Sequence, residues 1–263
     1  LKQLWPPFLA LLLAGMPAYG WAASLDDLVR AYPDELAGVQ GTMLIWRDGT
    51  HMPADDGREG KSFDAQLADG SILDQLRLAY PAGAALPPAP LTDPGRVRNQ
   101  AFFNKMYGDC TAGDVAPRLV PVEWLPRSWG HRIAVTSVNG VDRQLAAVSR
   151  ELDALPAEDK KFLYPIGGTY ACRHVAGGAQ TSMHAWGAAI DINTAYSNYW
   201  RWQRGTEGAA AYVNRIPPEI VAAFERHGFI WGGRWSHFDT MHFEYRPELL
   251  PPQGVLLASK RKD

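Results

Sequence analysis

Ser182-Met183-His184-Ala185-Trp186-Gly187-Ala188-Ala189-Ile190-Asp191-Ile192-Asn193 is the stretch on which the reading of this chain turns. His184 stands in a loop or short turn, where Gly187 permits a tight backbone. Residues 189–193 then read as a strand. Side chains alternate along a strand, so Asp191 shares a face with Ala189 and Asn193 while Ile190 and Ile192 point into a core. Ala188 and Ala189 leave room beside the carboxylate. A carboxylate between two isoleucines is costly to bury unless a positive group pairs with it. A divalent metal is one such partner, and a structural salt bridge is the other.

The second informative stretch is Asp239-Thr240-Met241-His242-Phe243-Glu244-Tyr245. Strand alternation puts His242 and Glu244 on one face, with Phe243 and Tyr245 on the other. Asp239 precedes the strand on a bend. A lone histidine is usually a core residue, and Asp239 alone would read as a turn residue. Taken with the first stretch, however, His184, Asp191 and His242 form two imidazoles and one carboxylate, a ligand set typical of catalytic zinc with one position left for water. Asp239 is then placed to act as general base. The chain reads as a metal-dependent hydrolase.

Outward from these stretches, strands and helices interleave without a glycine-rich phosphate loop. Thr42-Met43-Leu44-Ile45-Trp46 reads as a strand closed by an Asp48-Gly49 turn. A helix is predicted over 62–80, weakened by Gly70. Pro81 to Pro90 is linker-like in composition, and Asp93-Pro94-Gly95 is a turn. A strand is predicted over 132–138. Val141, Leu145, Val148, Leu152 and Leu155 recur at helical spacing. A further helix opens at Pro217-Pro218 and ends at Gly228. The fold class expected is α+β, a small, mostly antiparallel sheet with flanking helices and the zinc site on the sheet.

Composition narrows the class of function. The chain has 263 residues, 46% hydrophobic and 21% charged, with a formal net charge of -2. With no long basic run, nucleic acid is not an expected partner. Lys2 followed by the apolar run Phe8 to Met16 reads as a signal peptide over 1–23, too short to span a bilayer comfortably, with Ala22-Ala23-Ser24 as a cleavage site and Ala18-Tyr19-Gly20 as a competing one; a buried amphipathic helix or an uncleaved anchor is the alternative. The expected organisation is a signal peptide at 1–23, an N-terminal extension and Pro/Ala-rich linker at 24–95, and a catalytic domain at 96–263. Export, to the periplasm or the extracellular face of the envelope, would permit a disulfide between Cys110 and Cys172, which sequence alone leaves open. The aromatics near the site, Trp186, Tyr196, Tyr199, Trp200, Trp202, Trp231 and Trp235, are either core or the wall of a substrate groove.

The pattern Ser182-x-His184-x-x-Gly187-x-Ala189-x-Asp191, followed by Asp239-x-x-His242-Phe243-Glu244, resembles the zinc peptidases of bacterial cell walls. These include D-alanyl-D-alanine carboxypeptidases and dipeptidases and L-alanyl-D-glutamate endopeptidases. Tyr170-x-Cys172-Arg173 and Gly228-Phe229-x-Trp231-Gly232-Gly233-x-Trp235 also fit, so the resemblance spans about 145 to 245. It implies Zn2+ held by His184, Asp191 and His242, with Asp239 as base and Arg173 steadying the oxyanion. Arg173 could instead be a surface or carboxylate-paired residue. Ser182, Trp186 and Trp235 are candidate substrate contacts, although Ser182 could equally only shape the turn. Glu244 is expected to orient a ligand. Asp rather than Glu at 239 points to the carboxypeptidase and endopeptidase branches. The implied substrate is the peptidoglycan stem peptide, with D-alanyl-D-alanine cleavage first and L-alanyl-D-glutamate cleavage second. A catalytically inactive, zinc-containing cell-wall binding module is the rival. His237 is expected to face solvent or sit at the groove rim, His174 is a weaker candidate still, and His51, His131 and His227, without ligand spacing, are expected to be structural or exposed.

Overall fold

The structure, a computed structural model, describes residues 23–83, 86–88, 93–175, 178, 180–203 and 211–251. The signal peptide expected at 1–23 lies outside the described residues except for Ala23, as does part of the linker-like stretch. The fold is α+β, as expected, and among the described residues the strands form three small antiparallel sheets.

The N-terminal part holds α1 (Leu25–Ala31), the meander β1 (Leu36–Gln40), β2 (Met43–Trp46) and β3 (His51–Pro53), then α2 (Phe63–Asp69) and α3 (Ile72–Arg77). The single helix predicted over 62–80 is thus two. Gly70 is extended, and Ser71 exchanges capping bonds with Asp74 to start a new helix. A Cβ at Gly70 would come within 2.5 Å of Val97 Cγ1, so the break is also a place of close packing.

The second part runs α4 (Gln100–Tyr107), the hairpin β4 (Leu119–Trp124) and β5 (His131–Thr136), and α5 (Val141–Leu152). The strand expected to reach 138 stops at Thr136, because Asn139 and Gly140 both take positive φ and turn the chain into α5. Val141, Leu145, Val148 and Leu152 form the buried face of α5.

The third sheet carries the two key stretches. It consists of β6 (Ala189–Asp191), β7 (Phe229–Trp231) and β8 (His242–Tyr245), with α6 (Pro218–Arg226) leading into β7. The order is β6-β8-β7, so β8 is central and pairs antiparallel on both sides. Phe243 stacks on Phe224 of α6 with ring centroids 3.8 Å apart. Burying a ring of that size contributes on the order of 2–3 kcal/mol. Phe243 thereby pins one face of β8 to the core, leaving the other face to His242 and Glu244.

One hydrophobic cluster runs from Leu28 to Leu250, so residues on both sides of the 95/96 boundary share a core. Polar bonds reinforce it. The Tyr32 hydroxyl donates to Glu248 at 2.6 Å, and the Tyr80 hydroxyl donates to Glu225 while accepting from the Trp231 amide. No helix among the described residues is long and apolar enough to cross a membrane.

Candidate metal centre

Ser182 caps the short turn Met183–Trp186, its hydroxyl accepting from the His184 amide at 3.3 Å. Gly187 ends that turn at φ +67°, and a Cβ there would meet Leu119 Cδ2 at 2.7 Å and the Thr136 amide nitrogen at 3.1 Å. Only glycine lets the chain pass this close to the β4–β5 hairpin and enter β6. The register then pairs Asp191 with His242, Ile190 with Phe243 and Ala189 with Glu244. Directly opposed residues on antiparallel strands present side chains on the same face. The pairing that buries Ile190 and Phe243 therefore brings Asp191 and His242 together.

Asp191 Oδ1 lies 3.1 Å from His184 Nε2 and 2.9 Å from His242 Nδ1, and the two ring nitrogens are 3.2 Å apart. The other nitrogen of each ring has its own acceptor. His184 Nδ1 meets the Thr169 carbonyl, and His242 Nε2 meets Glu244 at 2.9 Å. Assigned from these partners, each ring donates outward and can turn a lone pair inward. Two imidazole lone pairs and a carboxylate oxygen converging on one point form a donor set that fits a divalent cation.

The charges agree. Burial opposes ionisation of Asp191, but the His184 and His242 imidazoles outweigh it and hold its carboxyl well below the usual carboxylate range. Burial also opposes a charged His242, yet Asp191 and Glu244 outweigh that and raise it to about 9. The surrounding carboxylates thus favour positive charge at this position, whether a proton or a divalent ion in its place. Behind it, Glu244 is fully buried and ion-paired with Arg98 and Arg246. Burial disfavours its charge, but Arg98, His242 and Arg246 prevail and hold it at about 2.

A cavity of about 270 Å³ opens onto the three donors. Asp239, Arg173, Ser182 and Trp235 line it, along with Arg96 and Tyr199. Asp239 Oδ1 is buried without a hydrogen-bond partner. Burial first, and the Asp191 charge second, raise the Asp239 carboxyl to about 6. That value suits a group exchanging protons near neutrality. Arg173 is exposed on the rim, its Nη1 donating to the His174 carbonyl at 3.3 Å. The disulfide Cys110–Cys172, with Cα atoms 5.6 Å apart, anchors the chain one residue before Arg173.

Trp186 requires correction. It does not line this cavity but sits in the core, 1% exposed, against Phe103 and with its indole N–H donating to Asn104. The turn that delivers His184 to the cavity carries Trp186, two residues on, toward Phe103 and Asn104 of α4 instead. Of the remaining histidines, His237 is half-buried and bonded to Asp93, while His51, His131 and His174 are exposed and His227 bonds Gln144 and Glu151. Sequence reasoning missed Arg96, Arg98, Arg246 and the Thr169 carbonyl. The Arg96-x-Arg98 spacing after a turn was visible, but nothing local ties it to a site some 140 residues on.

Residues 176–245 match the family model described as D-alanyl-D-alanine carboxypeptidase. The resemblance read from the motifs is thereby supported over that segment, which contains His184, Asp191, Asp239, His242 and Glu244. Arg173, Arg96 and Arg98 lie before it. The match, with the converging donors, supports a metal-dependent peptidase. No curated protein and no solved structure matches the chain.

Proposed function

We propose that this chain is an exported zinc metallopeptidase that hydrolyses an amide bond of the peptidoglycan stem peptide, with D-alanyl-D-alanine the first choice of bond. The observation that carries the reading is the convergence of His184 Nε2, Asp191 Oδ1 and His242 Nδ1 beside Asp239, whose buried Oδ1 has no hydrogen-bond partner. Two nitrogens and one oxygen with space beyond them suit zinc in a catalytic setting. When bound, the cation supplies Lewis acidity to the attacking water and the scissile carbonyl.

The protein's own groups do the rest. Asp239 takes the proton of the attacking water and returns it to the leaving nitrogen. Arg173, on the cavity rim, donates to the oxygen on which negative charge develops. Glu244 holds the His242 ring so that Nδ1 faces inward. Trp235 and Ser182 shape the wall. Placement in the periplasm or outside the cell agrees with the Cys110–Cys172 disulfide, since such bonds persist in oxidising compartments.

The test is digestion of purified muropeptides with mass analysis of the products, with and without a chelator. Release of D-alanine that stops on chelation is expected. Cleavage after L-alanine would reassign the bond. Bound zinc with no hydrolysis of any muropeptide would overturn the enzymatic reading in favour of a binding module.

A further inference from the structure

Arg96 and Arg98 join Arg173 as cations on the cavity wall, all three contributed by the chain before the family-matched segment. Arg96 follows directly on the Asp93-Pro94-Gly95 turn, where Gly95 takes φ +93° and a Cβ would collide with Ile230 Cδ1 at 2.4 Å. Asp93, itself fully buried, accepts from Ser236 and from the His237 backbone and ring, tying this turn to the loop before β8. The Arg96 guanidinium lies 4.5 Å from the centre of the Trp235 ring, and its Nη2 donates to the His237 carbonyl at 2.5 Å. Its Nε is buried with no acceptor. Among the described residues, no carboxylate forms an ion pair with it, whereas Arg98, two residues on, is engaged by Glu244.

A guanidinium held on one face by an indole and at one edge by a carbonyl has little freedom left to lose. A cation so fixed, in a cavity wall and with no ion-paired carboxylate among the described residues, is suited to an anionic ligand. The acids already in the cavity are committed elsewhere. Asp191 faces the imidazoles, and Asp239 is assigned to proton transfer. A peptide ending in D-alanyl-D-alanine carries its carboxylate on the carbon attached to the leaving nitrogen, within one residue of the bond cut.

We propose that Arg96 binds the free carboxylate of the leaving residue, making this chain selective for peptides that end in an acid beside the scissile bond. The proposal rests on the peptidase reading above. It assigns to a stretch well ahead of the family-matched segment a share of the substrate site. Arg173 and Arg96 then divide the anionic charge of the reaction, Arg173 meeting the charge that develops and Arg96 the charge already present.

The experiment compares two probes, a stem peptide ending in D-alanyl-D-alanine and the same peptide with a C-terminal amide, on the full zinc-loaded chain. A charge-assisted hydrogen bond of this kind favours the acid over the amide by roughly 10- to 100-fold in kcat/KM. Arg96→Gln should bring that ratio close to one, mainly by raising KM for the acid. Arg96→Lys, which keeps the charge without the fork, should fall between. Arg173→Gln should slow both probes and leave the ratio intact. Zinc content near one per chain and an unshifted unfolding midpoint establish that each variant is folded. A wild-type ratio in Arg96→Gln, or a wild type that cleaves acid and amide equally, overturns the assignment while leaving the peptidase reading in place. A zinc-loaded wild type that cleaves neither overturns the peptidase reading, and this one with it.

Discussion

Asp191 and His242 are registered partners across β6 and β8, with Asp191 Oδ1 2.9 Å from His242 Nδ1. The contact joins residues 51 apart in sequence. It follows from burying Ile190 and Phe243, the adjacent pair in the same register, on the opposite face. The hydrophobic effect thus sets the geometry of a polar site, because a one-residue slip of either strand would turn its functional side chain to the opposite face, away from its partner.

Removing one donor should remove the metal. Asp191→Asn and His242→Ala are expected to reduce bound zinc from about one per chain to near zero after dialysis, since a catalytic site holds its metal by three protein ligands and each variant removes a charged or imidazole donor. Metal analysis checks this directly. In the wild type, added zinc should raise the unfolding midpoint, and the rise should be absent in both variants.

Asp239→Asn should keep the metal and lose the reaction. Loss of a positioned general base lowers kcat by about 10²- to 10⁴-fold, with zinc content unchanged. The same variant makes a stability prediction for the metal-free chain. The folded pKa of Asp239, about 6, exceeds its ordinary 3.8, so ionising it opposes folding and stability falls as pH rises between those values. Asp239→Asn should therefore raise the unfolding midpoint at pH 7.5 and change it little at pH 3.5, as thermal unfolding would report. An equal effect at both pH values would count against the assigned cause.

Glu244→Gln should weaken metal binding without touching a metal ligand. Loss of the partner that orients a ligating imidazole typically costs about 10- to 100-fold in affinity, measurable by competition with a chelator. It also leaves the buried Arg98 without its ion-paired carboxylate, while Arg246 keeps Glu248, and one uncompensated buried charge costs about 3–5 kcal/mol. In the wild type Glu244 has a depressed pKa. The stability it contributes is complete above its ordinary 4.5 and is lost as pH falls through about 2. The variant should lack that part of the acid transition.

Replacing both cysteines by serine should loosen the segment carrying Arg173. The bridge closes a loop with a sequence separation of 62. Chain-entropy arguments put the stabilisation from such a loop at about 4 kcal/mol. The expected results are a lower unfolding midpoint and a reduced kcat at unchanged zinc content, because the triad does not touch the bridge. Full activity in the double variant would indicate that Arg173 is held by other contacts.

The local chemistry of the centre was legible in sequence. His184, Asp191 and His242 could be picked out because ligand types recur at spacings that a turn and two strands can bring to one face. Gly187 and Gly228 marked the turns before β6 and β7 for the same local reason. The α5 stripe and the start of α6 could be read from periodicity. The split of 62–80 into two helices was half visible in Gly70, but the capping exchange between Ser71 and Asp74 decided it.

Only the tertiary structure decided which way Trp186 faces, that Cys110 and Cys172 meet, and that Arg96 and Arg98 reach the centre from the far side of the chain. Periodicity and turn chemistry act over a few residues, and they determine what each segment can present. Which distant segments then share a wall depends on how all the apolar faces are buried at once. Arg98 meets Glu244 only because the turn at Gly95 packs against Ile230, a contact no short stretch of sequence contains.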